Sequence, residues 1–85
     1  MLTLLYFASL REALGTSREQ VALPAAGVAT VQGVVDALRS RSGAWSDALS
    51  PQKTWRVAVN QRLADLATPV KSGDEIAFFP PVTGG

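Results

Sequence analysis

The sequence predicts an α+β domain in which a single mixed sheet packs on one main helix. Three observations predict it. Strand-like alternation recurs at both ends and in the middle of the chain, one run carries apolar residues at full helical spacing, and 85 residues leave room for one hydrophobic core.

Residues 2 to 8 begin the order. If extended, they put Leu2, Leu4, Tyr6 and Ala8 on one side and Thr3, Leu5 and Phe7 on the other, so both faces need cover. Ser9-Leu10-Arg11-Glu12 has the S-x-x-E form of a capping box, and Gly15 supplies a stop, which predicts a short helix over 9–14. Arg18 to Leu23 alternates again, with Glu19, Val21 and Leu23 on one face, until Pro24 ends the ladder; this is a second strand, paired with the first. Thr30 is a good N-cap for the main helix. Val31, Val34, Val35 and Leu38 fall at i, i+3, i+4 and i+7, Arg39 and Arg41 lie near the negative helix end, and Gly43 offers the exit.

Trp45, Ala48 and Leu49 share helical spacing in a short segment closed by Ser50-Pro51. Trp55, Val57 and Val59 then alternate with Arg56 and Ala58 as a strand does. Asn60-Gln61 is the turn, since Asn tolerates a left-handed backbone, and Arg62 to Ala64 starts a brief return strand. Ser72-Gly73-Asp74 marks the next turn. Glu75 to Phe79 forms the last strand, with Ile76 and Phe78 opposed to Ala77 and Phe79, and Pro80-Pro81 stops it. There is no internal repeat or low-complexity linker. A hairpin, a helix crossing one face, and a final strand beside the first make the β-grasp arrangement of ubiquitin, although periodicity leaves a ferredoxin-like or other split arrangement open. The expected division is a β-grasp domain over 1–79 and an extended tail over 80–85.

Composition removes most enzyme chemistries. Eight Lys or Arg against seven Asp or Glu leave a formal net charge of +1, which gives no electrostatic reason to seek nucleic acid or an anionic membrane. Without cysteine or histidine the chain has no thiolate nucleophile, no imidazole base and none of the usual zinc ligands, so no metal site is assigned. Asp74 and Glu75 serve the turn and the strand start, Lys53 and Lys71 are surface charges, and Trp45 and Trp55 are packing residues, because no basic stripe accompanies them. The N-terminus lacks the basic start and cleavage site of a secretory signal, which points to the cytoplasm.

What remains is the end of the chain. Pro80-Pro81-Val82-Thr83-Gly84-Gly85 is six residues of extended backbone, an arm of about 20 Å. The prolines restrict its base and reduce the entropy lost on capture. Gly84 and Gly85, with no Cβ, thread a channel closed to other residues. A terminal carboxylate, ionised at neutral pH, is a poor electrophile and must be activated from outside. Adenylation by a partner with ATP gives a mixed anhydride, and attack by a sulfur donor leaves a thiocarboxylate. Such a carrier needs no His, Cys or metal of its own.

Leu5-Tyr6-Phe7-Ala8-Ser9-Leu10-Arg11-Glu12-Ala13-Leu14-Gly15, Ala58-Val59-Asn60-Gln61 and Ser72 through Gly85, with its Phe78-Phe79-Pro80-Pro81 lead-in, closely resemble the small-subunit family of molybdopterin synthase. The resemblance spans essentially the whole chain. It implies a β-grasp fold, a thiocarboxylate at Gly85, and tail access through Val82, Thr83 and Gly84. It also implies an adenylating enzyme of the ubiquitin-activating type, which uses the ATP, a sulfur donor, and a large synthase subunit in a heterotetramer. There the sulfur passes to cyclic pyranopterin monophosphate and builds the dithiolene that holds molybdenum. The resemblance further implies that the chain itself binds no cofactor and serves as the non-catalytic donor subunit of a heteromeric sulfurtransferase. At positions matching the family's subunit contact stand Phe7, Leu63 and Phe79, with Arg11 as polar neighbour and Pro80 and Pro81 leading to the tail. The alternation agrees: with Leu4, Tyr6, Val57, Val59, Ile76 and Phe78 on the main helix, Leu5, Phe7, Leu63 and Phe79 fall on or near the opposite face. The competing expectations are a thiamine-type carrier, a ubiquitin-like modifier joined to lysines through Gly85, and a binding module with an inert tail.

Overall fold

The computed structural model describes residues 1–24, 29–41 and 43–81. Its elements run β1 (Leu2–Tyr6), α1 (Ala8–Leu14), β2 (Arg18–Val21), α2 (Val31–Arg39), α3 (Gly43–Ala48), β3 (Arg56–Val59), β4 (Arg62–Ala64) and β5 (Glu75–Phe79). The sheet order is β2-β1-β5-β3-β4. β1 pairs antiparallel with β2 and parallel with β5, and β5 continues antiparallel to β3. The parallel pairing of the first and last strands at the centre selects the β-grasp arrangement over the alternatives that alternation alone left open.

Alternation gives the sheet one dry face. Leu2, Leu4, Tyr6, Val57, Ile76 and Phe78 point toward α2, whose Val31, Val34, Val35 and Leu38 complete the same buried cluster. Leu10 of α1 and Ala48 of α3 close its end, and α3 packs against both other helices. Aromatic rings tie the layers together. Tyr6 stacks on Phe78 with centroids 5.8 Å apart, while Trp45 meets Tyr6 and Trp55 meets Phe78 edge-on at 5.4 and 5.9 Å. Both tryptophans are therefore packing residues, each half-buried against the core.

The main helix starts as its sequence predicts, with the Thr30 hydroxyl accepting from the Gly33 N–H at 3.2 Å. Two more free N–H groups of its first turn are met by the loop before β5, Val31 donating to Thr68 and Gln32 to Leu66, each at 2.9 Å. Its end comes earlier than Gly43. Ser40 is the C-cap: its N–H bonds back to Asp36 and its hydroxyl donates to the Ala37 carbonyl, so the last turn closes on side chains and Gly43 instead begins α3. Arg41 does not neutralise the helix end. It crosses to β2, where its guanidinium forks onto Glu19 at 2.8 and 2.9 Å and lies 4.6 Å from the Trp45 ring centroid.

The capping box at Ser9 does not form. The N-cap is Phe7, in extended conformation and without a side-chain cap, and Ser9 lies inside the helix. The reason is that β1 has not finished when α1 starts. The Phe7 N–H still bonds Phe78 of β5 at 3.1 Å, while its carbonyl already accepts from Leu10 and Arg11. The chain turns within one residue, which leaves Ala8 at φ 51. Gly15 ends α1 as expected, at φ 75, donating to the Arg11 carbonyl. β2 stops at Val21, two residues short of the expected end, and Leu23 is 38% exposed rather than facing the core. Asn60 and Gln61 take φ 52 and 67, the pair of left-handed residues a two-residue hairpin requires. No helix of the described residues is long and apolar enough to cross a membrane.

Candidate functional site

Residues paired across a sheet share a face, so the registers lay out the side opposite α2 in three rows. The row farthest from the tail is polar, with Gln20, Thr3 and Glu75. The middle row is Arg18, Leu5, Ala77, Ala58 and Leu63. The last row is aromatic: Phe7, held beside Phe78 by its backbone bond, and Phe79, paired with Arg56. Pro80 follows Phe79 directly, so the arm leaves from the aromatic end of this face.

No helix of the described residues covers it. Phe7 is 47% exposed and Leu63, on the edge strand β4, 74%. Leu5 and Phe79 are half-buried, since the alanines between them leave a shallow apolar floor. The structure thus brings Phe7, Leu63 and Phe79 to one surface, as alternation predicts. Arg11 is exposed on α1, its backbone N–H bonded to the Phe7 carbonyl at 3.4 Å, which sets it next to the aromatic row. Pro80 and Pro81 are half-buried and line a groove of about 290 Å³ with Ser9, Leu10, Lys53 and Trp55, so the base of the arm is packed against the body. Val82, Thr83, Gly84 and Gly85 lie outside the described residues.

Two polar groups brace the ends of this sheet. Asp74, buried in the turn before β5, accepts from the Asn60 side chain at 3.0 Å, from the Lys71 ammonium at 2.9 Å and from the Lys71 backbone N–H at 2.8 Å. Those bonds, Asn60's first, hold its carboxyl down to about 2. Asn60 also accepts from the Glu75 N–H, tying the β3–β4 turn to the start of β5. On the helix side, Tyr6 donates to Glu19 at 2.9 Å. Burial first, then that bond, pushes the phenol far above its ordinary range, and the Arg41 fork holds Glu19 below its own. In both clusters the charged groups are bonded to one another across separate parts of the fold, so both act as structural braces. Among the described residues no group of three His, Cys, Asp or Glu side chains is placed to hold a metal ion.

Sequence reasoning missed the Asn60–Asp74 clamp and the Tyr6–Glu19–Arg41 bridge. The residues were visible, but the 14 and 22 positions separating their members are joined only by the fold. It also passed over Arg18 and Arg56 on the open face, where alternation alone would have placed them.

Comparison with known proteins adds four findings. A family model described as "ThiS family" matches residues 4–85. The molybdopterin synthase sulfur carrier subunits of Escherichia coli and Haemophilus influenzae are 42% and 45% identical over 85 residues, covering 100% of this chain and of each relative. Among solved structures, SAMP1 of Haloferax volcanii, small archaeal modifier protein 1, superposes with a TM-score of 0.77 at 32% identity, over 99% of this chain and 98% of that one. A chain from the complex of subunits 1 and 2 of the molybdopterin-converting factor of Helicobacter pylori shares the fold, with a TM-score of 0.68 at 21% identity over 99% and 97% of the two chains.

Proposed function

The chain belongs to the ThiS family, and we propose that it is the sulfur carrier subunit of a molybdopterin synthase. The observation that carries this reading is the end-to-end match to two sulfur carrier subunits of that enzyme. The family model by itself fits a thiamine-type carrier as well; these relatives favour the molybdopterin route.

The chemistry belongs to the Gly85 carboxylate. An adenylating partner of the ubiquitin-activating type uses ATP to form the acyl adenylate and releases pyrophosphate. A sulfur nucleophile then displaces AMP, leaving a thiocarboxylate. Inside the large subunit this sulfur bonds to a carbon of cyclic pyranopterin monophosphate in place of an oxygen substituent, water then cleaves the acyl–sulfur bond and frees the Gly85 carboxylate, and two such transfers make the dithiolene. The body of the chain supplies grip rather than catalysis: Phe7, Leu63 and Phe79 offer apolar surface, Arg11 a polar contact beside it, and Pro80 and Pro81 aim the arm, while Val82, Thr83 and Gly84 let Gly85 reach. Support for a second subunit comes from the relatives' own description as subunits and from the Helicobacter pylori chain of this fold, which was solved with subunit 2. We take this work to be cytoplasmic, where ATP is at hand for the activation step.

Incubating the purified chain with its adenylating enzyme, ATP and a sulfur donor is expected to raise its intact mass by about 16 Da, the exchange of one oxygen for sulfur. No change, under conditions that convert a control carrier, overturns the reading. The likeness to small archaeal modifier protein 1 favours one second reading, conjugation of Gly85 to lysines. Isopeptide-linked adducts in cells, abolished by deleting Gly84 and Gly85, would establish that role instead.

A further inference from the structure

The apolar face carries two arginines that none of the contacts above uses. Arg18 stands opposite Leu5 at the β2 edge, and Arg56 stands opposite Phe79 at the foot of the arm. Both are exposed. Among the described residues, the ion pairs join Arg41 to Glu19, Lys53 to Asp47 and Lys71 to Asp74, and neither Arg18 nor Arg56 takes part in one. The acid on the described strands of this face, Glu75, sits in the far row beside Thr3, away from the arm; Asp65, which lines a groove with Arg56 and Leu63, accepts instead from the Ala67 N–H and the Thr68 hydroxyl.

Covering this face therefore has an electrostatic condition. A purely apolar surface laid over Leu5, Phe79 and Leu63 would strip water from two guanidinium groups and leave them without acceptors, at a cost that offsets the apolar gain. A second copy of the chain would bring two more arginines, while its Glu75 lies in the far row and its Asp65 is already bonded to Ala67 and Thr68. An apolar surface edged by carboxylates satisfies both requirements, and its charge also speeds the encounter.

We propose that Arg18 and Arg56 select the partner, and that the large synthase subunit covering this face presents carboxylates opposite them at the rim of an apolar patch. The inference rests on the sulfur-carrier reading and adds the chemistry of the partner's surface. Because Arg56 lies at the arm end and Glu75 at the other, the same charges fix which way round the subunit docks.

The test is stopped-flow association of the full chain with the large subunit from the same source across a series of ionic strengths. For the unaltered chain, the association rate is expected to fall as salt rises. Arg18→Ala with Arg56→Ala is expected to slow association about tenfold at low salt and to flatten the salt dependence, with little change in dissociation. Arg18→Glu with Arg56→Glu is expected to slow it further, and reversing carboxylates on the large subunit to restore it. A double alanine variant that associates at the unaltered rate and salt slope overturns this inference while leaving the carrier reading intact. Self-association of the unaltered chain through this face overturns it as well. If the unaltered chain fails to bind the large subunit at any salt, the carrier reading falls with it. Thermal melts matching the unaltered chain show that the variants fold.

Discussion

The two faces of the sheet are made by the same strands, residue by residue in alternation, yet they are built for opposite ends. Toward α2 the side chains are large, branched or aromatic and shut away from water: Leu4, Tyr6, Val57, Ile76 and Phe78. Away from it they are smaller at the centre, with Ala58 and Ala77, and larger and wetter at the margin, with Phe7 and Leu63. The first face has all its partners within the chain. Among the described residues, the second has arginines outside any ion pair and aromatic rings that no helix covers. Stability and recognition are thus separated by one residue of register, and a substitution's effect is set by parity in the strand more than by residue type.

The largest expected effect breaks this comparison directly. Phe78 is fully buried, stacked on Tyr6 and met edge-on by Trp55. Phe78→Ala removes a ring from a core that cannot collapse around it, and a loss of about 3–5 kcal/mol is expected in urea denaturation. That is comparable with the whole stability of a domain this size, at roughly 0.05–0.15 kcal/mol per residue. Leu63→Ala, on the other face, is expected to move stability by less than about 0.5 kcal/mol, while weakening capture by the large subunit. If the two substitutions cost the same in denaturation, the division between the faces is wrong.

Asp74 sharpens the comparison at the edge the two faces share, where the turn is held by charge rather than by apolar burial. Its carboxyl is held down to about 2 in the folded chain, against an ordinary value of 3.8. A depressed folded value contributes stability that is complete above about pH 4 and is lost as pH falls from there toward 2. Because the Lys71 side chain is 82% exposed, solvent screening reduces the contribution to about 1 kcal/mol at neutral pH. Glu19, also held below its ordinary range, adds to the same acid sensitivity. Asp74→Asn is expected to lower stability at pH 7 by about that amount and to flatten the decline below pH 4, read from urea midpoints across pH. An unchanged slope below pH 4 would show that the turn does not depend on the Asp74 charge.

Most of the fold was legible because its signals are local. Thr30, the heptad-like valines of α2, Asn60-Gln61 and the alternation of Glu75 to Phe79 each state a conformation within a few residues, and each formed. The errors came where a distant contact overruled a local motif. Ser9 and Glu12 spell a capping box, but the pairing of Phe7 with β5 carries the strand up to the helix and leaves no room for the cap. Gly43 looks like a helix stop, but Ser40 closes the helix first and Arg41 is drawn off to Glu19. The open face was legible in its apolar members, because alternation assigns Phe7, Leu63 and Phe79 to one side. Its arginines were overlooked because an exposed charge in a strand reads as ordinary solvation until the register shows which residues it stands beside.

The abrupt passage from β1 to α1 makes the smallest of these predictions and shows how the two faces meet. Within four residues the chain sets Phe7 on the open face and Leu10 in the core, and Ala8 bears the turn at φ 51. A left-handed backbone costs an L-residue about 1–2 kcal/mol, a penalty glycine does not incur. Against this stands the greater freedom that glycine gives the unfolded chain, about 0.4–1 kcal/mol. Ala8→Gly is therefore expected to leave stability unchanged or to raise it by up to about 1.5 kcal/mol. Ala13→Gly, an exposed position of the same helix, is expected to lower it by about 1 kcal/mol. Thermal denaturation of the pair decides the matter: equal losses would mean that the turn stores no strain, and that Phe7 owes its place on the open face to the helix rather than to its bond with β5.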